Sequence, residues 1–242
     1  IFAKGEDVYK HNAAATFRVG YAEVDKDQRQ IGKVQELACG FAGGVGAFAS
    51  MGRIYNIILS ENESKRMVDA WRRANGWSVP YWSKLEHSYL AAMRNPGHEF
   101  TAGRVTYLFD KQHLWYALPS GRVLCYPFAC FNEEGDLTYA KASWKPSADA
   151  KEWPRARLWR GLACENITQA VANDLLRHTL KRLDEEGLDV VLHVHDEVVL
   201  EVPEADADDA AARLVEIMCQ PPEWAKGLPL NAEVATMVRY GK

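Results

Sequence analysis

The stretch LHVHDEVVLEVP, from Leu192 to Pro203, places two adjacent acids between two apolar runs rich in β-branched residues. Such runs are typical of paired strands. Asp196 and Glu197 would then lie at or beside a tight hairpin turn, directly after His195. Aspartate at a turn is often a solvent-exposed turn former, although glutamate is not a preferred turn residue. If the flanking strands are buried on one face, the acids would lie in a cleft and suit a hard divalent cation.

The segments around this hairpin predict strands and helices. RVTYLF, HLWYAL and RVLCYP have the composition of short strands, with a turn at LPSGR. Residues 132–157 have the composition of a loop, and residues 160–186 carry leucines at helical spacing. A helix is expected at about 205–219, followed by a short strand in PLNAEVATM.

The first hundred residues predict a helical unit. Helix candidates cover 6–16, 25–39, a stretch ending near 57, 63–74 and 80–93. The whole order predicts an α+β fold, with helices in 1–100 and a sheet with helices on one face in 101–242.

The helix predicted at 25–39 has two different faces. Ile31, Val34, Leu37 and Ala38 are expected to share the apolar one. Arg29 and Lys33 lie four residues apart on another face. Two cations one turn apart can clamp a polyphosphate, although a solvated helix face has the same spacing. The combination with the acids of the hairpin favours a triphosphate reaction that uses metal ions.

A glycine-rich segment, GFAGGVGAF, follows this helix. It lacks the Gly-Lys-Ser/Thr ending of a phosphate-binding loop, and a helix rather than a strand precedes it, which excludes a dinucleotide fingerprint. The segment therefore predicts a flexible joint between helices.

The composition is that of an ordinary globular protein. Hydrophobic residues make up 48% and charged residues 26% of the 242 residues. Apolar runs are shorter than the roughly 20 residues of a membrane span. Five cysteines without a CxxC pair favour a reducing, cytoplasmic compartment and argue against a disulfide framework or a zinc site. The net charge of −4 does not by itself indicate nucleic-acid binding.

Two segments resemble motifs of the family A DNA polymerases, the DNA polymerase I group. HDE between two hydrophobic strands resembles motif C, and RQIGKVQELACGF resembles motif B. Arg29 and Lys33 match the basic positions of motif B. Leu37 stands where the family usually has an aromatic residue, and Phe41 where it usually has tyrosine. The departure at Leu37 concerns how sugars are discriminated rather than whether the chain is a polymerase.

Further segments extend the resemblance over essentially the whole chain. GEDVYK resembles the segment before motif B, where Tyr9 takes the place of a frequent histidine. ENITQAVANDLL, Glu165 to Leu176, resembles the palm helix that lies along the duplex. LPSGR and the ending RYGK are similar to bacteriophage members. The resemblance implies a fingers subdomain in 1–100 and the C-terminal part of an antiparallel palm in 101–242.

The resemblance implies template-directed DNA synthesis with two Mg²⁺ ions. Asp196 would be one of two catalytic aspartates that hold them, Glu197 a supporting acid, and His195 would face the primer terminus. The primer 3′-hydroxyl would attack the α-phosphate of a deoxynucleoside triphosphate, and pyrophosphate would leave.

The resemblance also implies contacts to nucleotide and DNA. Arg29 and Lys33 would grip the triphosphate as the fingers close, and Phe41 would stack near the templating base. Gln169 and Asn166 would contact the minor groove or the sugar near the primer end. The family's upstream arginine in the palm helix aligns near Gly161, and Arg160 is expected to serve instead.

One motif of the family is not found in this sequence. In the family, motif A supplies the other catalytic aspartate and precedes the segment that corresponds to GEDVYK. The thumb also lies upstream of that segment. Because the chain begins IFAKGEDVYK, we expect a processed product, a fragment or one half of a split protein. The expected activity then requires an upstream chain that carries motif A and the thumb. The alternative is an inactive remnant that binds DNA or a partner. An unrelated phosphohydrolase would leave Arg29 and Lys33 unexplained.

Overall fold

A computed structural model describes residues 1–141 and 153–241, in which five helices precede a series of short antiparallel strands. Two compact units divide the chain. The first comprises Ile1–Leu118 with Arg122–Ile167, and the second Pro119–Gly121 with Thr168–Lys242. The mixed composition of helices and antiparallel strands confirms the predicted α+β class. The functional division at residue 100 into fingers and palm stays a prediction.

The first unit contains five complete helices, α1 Val8–Phe17, α2 Lys26–Cys39, α3 Val45–Ile54, α4 Glu61–Ala74 and α5 Ser78–Arg94. Three of them, α1, α2 and α4, begin at a side chain that caps the helix. Asp7 accepts hydrogen bonds from the first backbone N–H groups of α1. Asp25 and Ser60 form capping boxes with Gln28 and Glu63. Such caps satisfy N–H groups that the helix itself leaves unpaired, and they fix where each helix starts.

Buried aromatic and polar side chains join these helices. Trp71 of α4 and Trp82 of α5 stack with their ring planes 5° apart, and both are almost fully buried. Glu36 of α2 accepts hydrogen bonds from Asn12 Nδ2 at 2.6 Å and from Trp71 Nε1 at 3.0 Å. One carboxylate therefore ties α2 to both α1 and α4. Because buried polar groups are costly when unpaired, this network also specifies how the helices pack.

A four-stranded antiparallel sheet follows the helices. Its strands are β1 Glu99–Ala102, β2 Val105–Asp110, β3 His113–Ala117 and β4 Val123–Tyr126, paired in that order. Tyr107 and Tyr116 of this sheet pack their rings between Tyr89 of α5 and Tyr126. Burial raises the pKa of Tyr116 to about 12 and that of Tyr107 well above its ordinary value. These tyrosines therefore stay neutral at physiological pH and serve as core residues.

A second, three-stranded sheet corrects the expectation of a loop at 132–157. Its strands are β5 Cys130–Phe131, β6 Leu137–Ala140 and β7 Arg155–Arg157. Residues 142–152, which belong to the same expected loop, lie outside the described residues. β6 is too short for an alternating pattern, and the sequence of β7, RAR, is charged like a loop. Only pairing between them, with Arg155 donating to Thr138 Oγ1 at 2.6 Å, makes them strands.

The second unit is built around a hairpin and two helices. α6 Arg160–Glu185 ends in this unit and is followed by β8 Val190–Val194, β9 Glu197–Leu200 and α7 Ala207–Met218. Leu183, Leu214 and Ile217 form its buried cluster, against which Val198 and Leu200 pack. The long helix, the hairpin and the following helix are confirmed close to their predicted positions.

The strand expected in PLNAEVATM is not present. These residues have no regular secondary structure, and Val234 and Met237 are exposed. An extended segment becomes a strand only by pairing with a neighbour, and no strand of the described chain pairs with this one. Among the described residues, no helix has both the length and the apolar character needed to cross a membrane.

Candidate functional site

Helices α1 and α2 approach each other so closely that only glycine fits at one point. Gly32 is buried, and a β-carbon added to it would lie 2.1 Å from the carbonyl oxygen of Tyr9. The nearest atoms are backbone, so a small side-chain rotation cannot relieve the clash. Because Gly32 lies between Arg29 and Lys33 in the sequence, this contact sets where both cations lie relative to α1.

We expect Gly32→Ala to lower the free energy of unfolding by about 1–3 kcal/mol, as overpacked sites do. Gly46→Ala is the matched control, because Gly46 is also helical and a β-carbon added there would meet no atom within 4 Å. That change should be neutral or stabilising by up to about 1 kcal/mol, since alanine favours a helix over glycine. Urea unfolding measures both. Equal effects of the two substitutions would show that the close approach of α1 and α2 is not needed.

Arg29 is held by the start of α1. Its Nε donates to Asp7 Oδ2 at 2.6 Å, and its guanidinium lies 5.3 Å from the ring centre of Tyr9. Partial burial works to raise the pKa of Asp7, but hydrogen bonds from Arg29 and the backbone of Lys10 and Tyr9 outweigh it and lower that pKa. Asp7 is therefore ionised at neutral pH. The bond uses Nε alone, so the two Nη groups of Arg29 can donate to an anion.

Lys33 lies one turn further along α2 and has an aromatic support. Its ammonium group is 4.7 Å from the ring centre of Tyr55, the residue that ends α3. No carboxylate of the described residues forms an ion pair with Lys33. A cation over an aromatic face keeps its charge available to an anion on the other side. Arg29 and Lys33 thus form one basic edge of α2, as their spacing predicts.

Leu37 lies on the same edge of α2 as Arg29 and Lys33, so its predicted place on the apolar face was wrong. Val34 and Ala38 are buried as expected, but Leu37 is 39% exposed. Positions 29, 33 and 37 follow one another at single turns of the helix, so Leu37 lies with the cations rather than on the Val34 and Ala38 stripe. An exposed leucine here is available to contact a ligand that the cations hold.

Phe41 lies in the loop after α2 and is half-buried. The start of α6 passes close to it, because a β-carbon on Gly161 would lie 2.3 Å from the Phe41 carbonyl oxygen. Arg160, the first residue of α6, is exposed. The side-chain amide of Asn166 donates to the hydroxyl of Tyr126 at 3.0 Å. Within the first unit, the hydrogen bond to Tyr126 of β4 therefore holds the Asn166 side chain, whereas Arg160 is exposed to solvent.

The hairpin of the second unit carries the two acids at its turn. Val194 pairs with Glu197, so His195 and Asp196 form the two-residue turn. His195 has φ of 55°, a left-handed conformation in which histidine is enriched among non-glycine residues. Asp196 is exposed, whereas Glu197 is half-buried and accepts a hydrogen bond from the Tyr240 hydroxyl at 3.4 Å.

The strands of this hairpin are less buried than their sequence predicts. Val190 packs against the cluster around Leu183, but Val191, Leu192 and Val194 are 54%, 41% and 38% exposed. The reason is that β8 and β9 form a sheet of only two strands, one face of which packs within the unit. The predicted burial in a cleft is therefore not seen within this unit. Gln169 of α6 is also exposed.

Asp196 and Glu197 provide oxygen donors of the kind that Mg²⁺ prefers. No three histidine, cysteine or acidic side chains come together as a possible metal site within residues 1–141 and 153–241. The two carboxylates therefore fit part of a divalent-cation site, and further ligands are needed to complete one.

Three partners of these residues were missed from the sequence: Asp7, Tyr55 and Tyr240. Asp7 is 22 residues before Arg29, and Tyr55 is 22 residues after Lys33. Such distances carry no periodic signal, because they depend on how helices pack. The fully buried Gln35, which donates to the Met67 carbonyl oxygen at 2.8 Å, was also not predicted.

Comparisons with known proteins show that the chain is similar to parts of DNA polymerases. No family model matches the chain. The chain is 36% identical over 235 residues to a DNA polymerase of Bacillus phage SP02, an alignment that covers 96% of this chain and 36% of that polymerase. The POL domain of Pol1 from M. smegmatis, solved in complex with DNA primer-template and dNTP, matches 90% of this chain and 32% of its own, with 18% identity and a TM-score of 0.57.

At 18% identity the second likeness concerns the fold alone. The chain spans about a third of the length of each of these two proteins. The predicted relationship to DNA polymerases is confirmed at this level, while the roles of individual residues stay predictions. The chain is thus similar in sequence to part of a phage DNA polymerase, and its helices and antiparallel sheets share the fold of part of a POL domain.

Proposed function

We propose that this chain is the fingers and the C-terminal palm portion of a template-directed DNA polymerase that acts in the cytoplasm. The observation that carries the proposal is the 36% identity to a phage DNA polymerase over 96% of the chain. The substrates would be a primer–template DNA and deoxynucleoside triphosphates. The thumb and the other catalytic aspartate would come from an upstream polypeptide, either a preceding segment of the same protein or a separate chain.

The basic edge of α2 would bind the triphosphate. Arg29 offers two Nη donors in a planar fork, and Lys33 offers a mobile point charge one turn away. Asp7 and Tyr9 hold Arg29 before the nucleotide arrives, so little conformational freedom is lost on binding. As charge develops on the leaving pyrophosphate, cations fixed in this way stabilise the transition state more than the ground state.

The hairpin turn would hold the catalytic Mg²⁺. Asp196 and one aspartate from the upstream polypeptide would hold the ions, with Glu197 in support. When bound, two such ions lower the pKa of the primer hydroxyl and neutralise the charge of the leaving group. Tyr240 restrains Glu197, whereas Asp196 is exposed at the turn, which favours Asp196 as the principal ligand.

Five further side chains would contact primer–template DNA. His195 would face the primer terminus from the turn, while Asn166, Gln169 and Arg160 project from α6. Contacts of amides to minor-groove edges report base-pair shape without reading sequence. The bond from Asn166 to Tyr126 would keep that amide in one orientation. Phe41, placed by the close approach of Gly161, would stack near the templating base.

We expect Lys33→Ala, in a polymerase assembled from this chain and the upstream polypeptide, to raise the KM for nucleotide or lower kcat. The combined loss in kcat/KM should be about 10- to 100-fold, since a charge-assisted phosphate contact contributes about 1.5–3 kcal/mol. Arg29→Ala should act in the same direction. Single-turnover primer extension at varied nucleotide concentrations measures these constants.

Lys65→Ala is the matched control for these variants. Lys65 lies on α4, is exposed and pairs with Asp69 at 2.8 Å, so its loss should leave kcat/KM unchanged. The affinity for primer–template should be similar in all of these variants. Variants at Arg29 and Lys33 that weaken DNA binding alone, with normal nucleotide kinetics, would show that α2 does not face the nucleotide.

A further inference from the structure

We propose that the groove between α1 and α4 binds the phosphate backbone of single-stranded nucleic acid. The groove has a volume of about 550 Å³, and three arginines line it: Arg18 of the α1 terminus and Arg66 and Arg73 of α4. This volume lies within the usual range of ligand pockets, about 300–1,000 Å³. The site is separate from the basic edge of α2 and uses none of its residues.

The three guanidinium groups are available to a ligand. All three residues are exposed, and none forms an ion pair with a carboxylate in the described part of the chain. Two acids of α4 bind other partners, because Glu63 accepts a hydrogen bond from Ser60 in a capping box and Asp69 pairs with Lys65. Arg66 and Arg73 still help to lower the pKa of Glu63 and Asp69, respectively. Arginines that are not held in ion pairs can attract a polyanion, and guanidinium groups match the geometry of phosphate oxygens.

Arg18 has a backbone conformation that usually belongs to glycine. It terminates α1 with φ of 59° and ψ of 44°, in the left-handed region. Glycine is the common residue at such a helix end, because other side chains are strained there. The position nevertheless carries an arginine whose side chain lines the groove.

The arrangement fits an extended backbone better than a single small anion. Arg66 and Arg73 are seven residues apart on α4, which corresponds to about 10 Å along the helix axis. Helix dipoles favour cations at C-terminal helix ends, and Arg18 and Arg73 lie at those ends of α1 and α4. Arg66 lies in the first half of α4, so the helix dipole does not account for a cation there. The other lining residues are alanines, Thr16 and Met67, so bases find no aromatic platform and the phosphates carry the binding.

The test measures binding of a fluorescent oligothymidylate to the 242-residue chain by anisotropy, without Mg²⁺ or nucleotide, over a series of NaCl concentrations. The test variant combines Arg18→Asn, Arg66→Gln and Arg73→Gln, and we expect it to bind the oligonucleotide at least about tenfold more weakly. The slope of log affinity against log salt concentration should become shallower by about 2, because each lost phosphate contact contributes about 0.7. Asparagine tolerates the left-handed conformation at position 18, so the variant should fold. A control variant with Arg53, Lys84 and Arg94 changed to glutamine removes equal charge from exposed positions elsewhere.

Equal losses in both variants would overturn the proposal, because they would reflect net charge alone. Hydrogen exchange adds a local measurement: the oligonucleotide should protect residues 14–19 and 66–74. Protection of these segments by inorganic pyrophosphate but not by the oligonucleotide would assign the groove to a free phosphate compound and overturn the backbone proposal. Neither assay includes primer extension, so either outcome is independent of the proposed polymerase activity.

Discussion

Asp196→Asn is expected to reduce primer extension by at least about three orders of magnitude in the polymerase assembled with the upstream polypeptide. The change keeps the size of the side chain but removes the charge that would hold two cations. Metal positioning supplies several kcal/mol to the transition state, and each 1.36 kcal/mol is a factor of ten in rate. The exposed turn position means that folding should not change. Single-turnover extension with saturating nucleotide measures the effect.

Two other substitutions in the same hairpin region serve as controls. Asp189→Asn makes the same chemical change at an exposed acid just before β8 and should leave extension unchanged. Glu197→Gln should cost less than Asp196→Asn, because a glutamine can still accept the hydrogen bond from Tyr240. Near-normal extension by Asp196→Asn would refute the assignment of this turn as the metal site.

The 242-residue chain by itself is expected to extend no primer. Asp196 lies in the turn and Glu197 begins β9, and no third histidine, cysteine or acidic side chain of the described residues joins them in a possible metal site. The site therefore needs a carboxylate from the upstream polypeptide. Val191, Leu192 and Val194 also leave an apolar strand open to solvent. We expect the upstream polypeptide to cover this strand through an interface larger than roughly 2,000 Å².

This expectation is checked with a preparation that mass spectrometry shows to be free of other polypeptides. Extension by the chain alone should not exceed background, and gel filtration should show a complex once the upstream polypeptide is added. Val194→Asp should weaken the complex, because Val194 is exposed on the open side of the hairpin. Val198→Asp is not suitable, because Val198 packs against the buried cluster and its replacement would unfold the unit. Strong Asp196-dependent synthesis by the chain alone would place the second carboxylate within these 242 residues.

The helices and the hairpin were predictable because their signals are local. Asp7 and Asp25 stand directly before helix-forming segments, and both cap the helices that start there. β6 and β7 were not predictable, because four residues are too few for a periodic pattern and RAR has no apolar face. The opposite error occurred in PLNAEVATM, where strand-like composition lacks a partner to pair with.

The candidate site was predictable in its charged residues but not in their partners. The spacing of Arg29 and Lys33 predicts one helix edge, and the pattern around His195 predicts a turn that carries acids; both are present. The ion pair with Asp7 depends on the packing of two helices, which no spacing rule encodes. The role of Gly32 could not be predicted either, because it depends on the position of a backbone carbonyl in another helix.

The most direct test of the central claim offers each deoxynucleoside triphosphate singly to this chain together with the upstream polypeptide, on four templates that differ in the base opposite the incoming nucleotide. In the presence of Mg²⁺, we predict addition of the complementary nucleotide on each template, little addition of the others, and none with Asp196→Asn. Incorporation that ignores the template base, that survives Asp196→Asn, or that does not occur with both polypeptides present would contradict the claim.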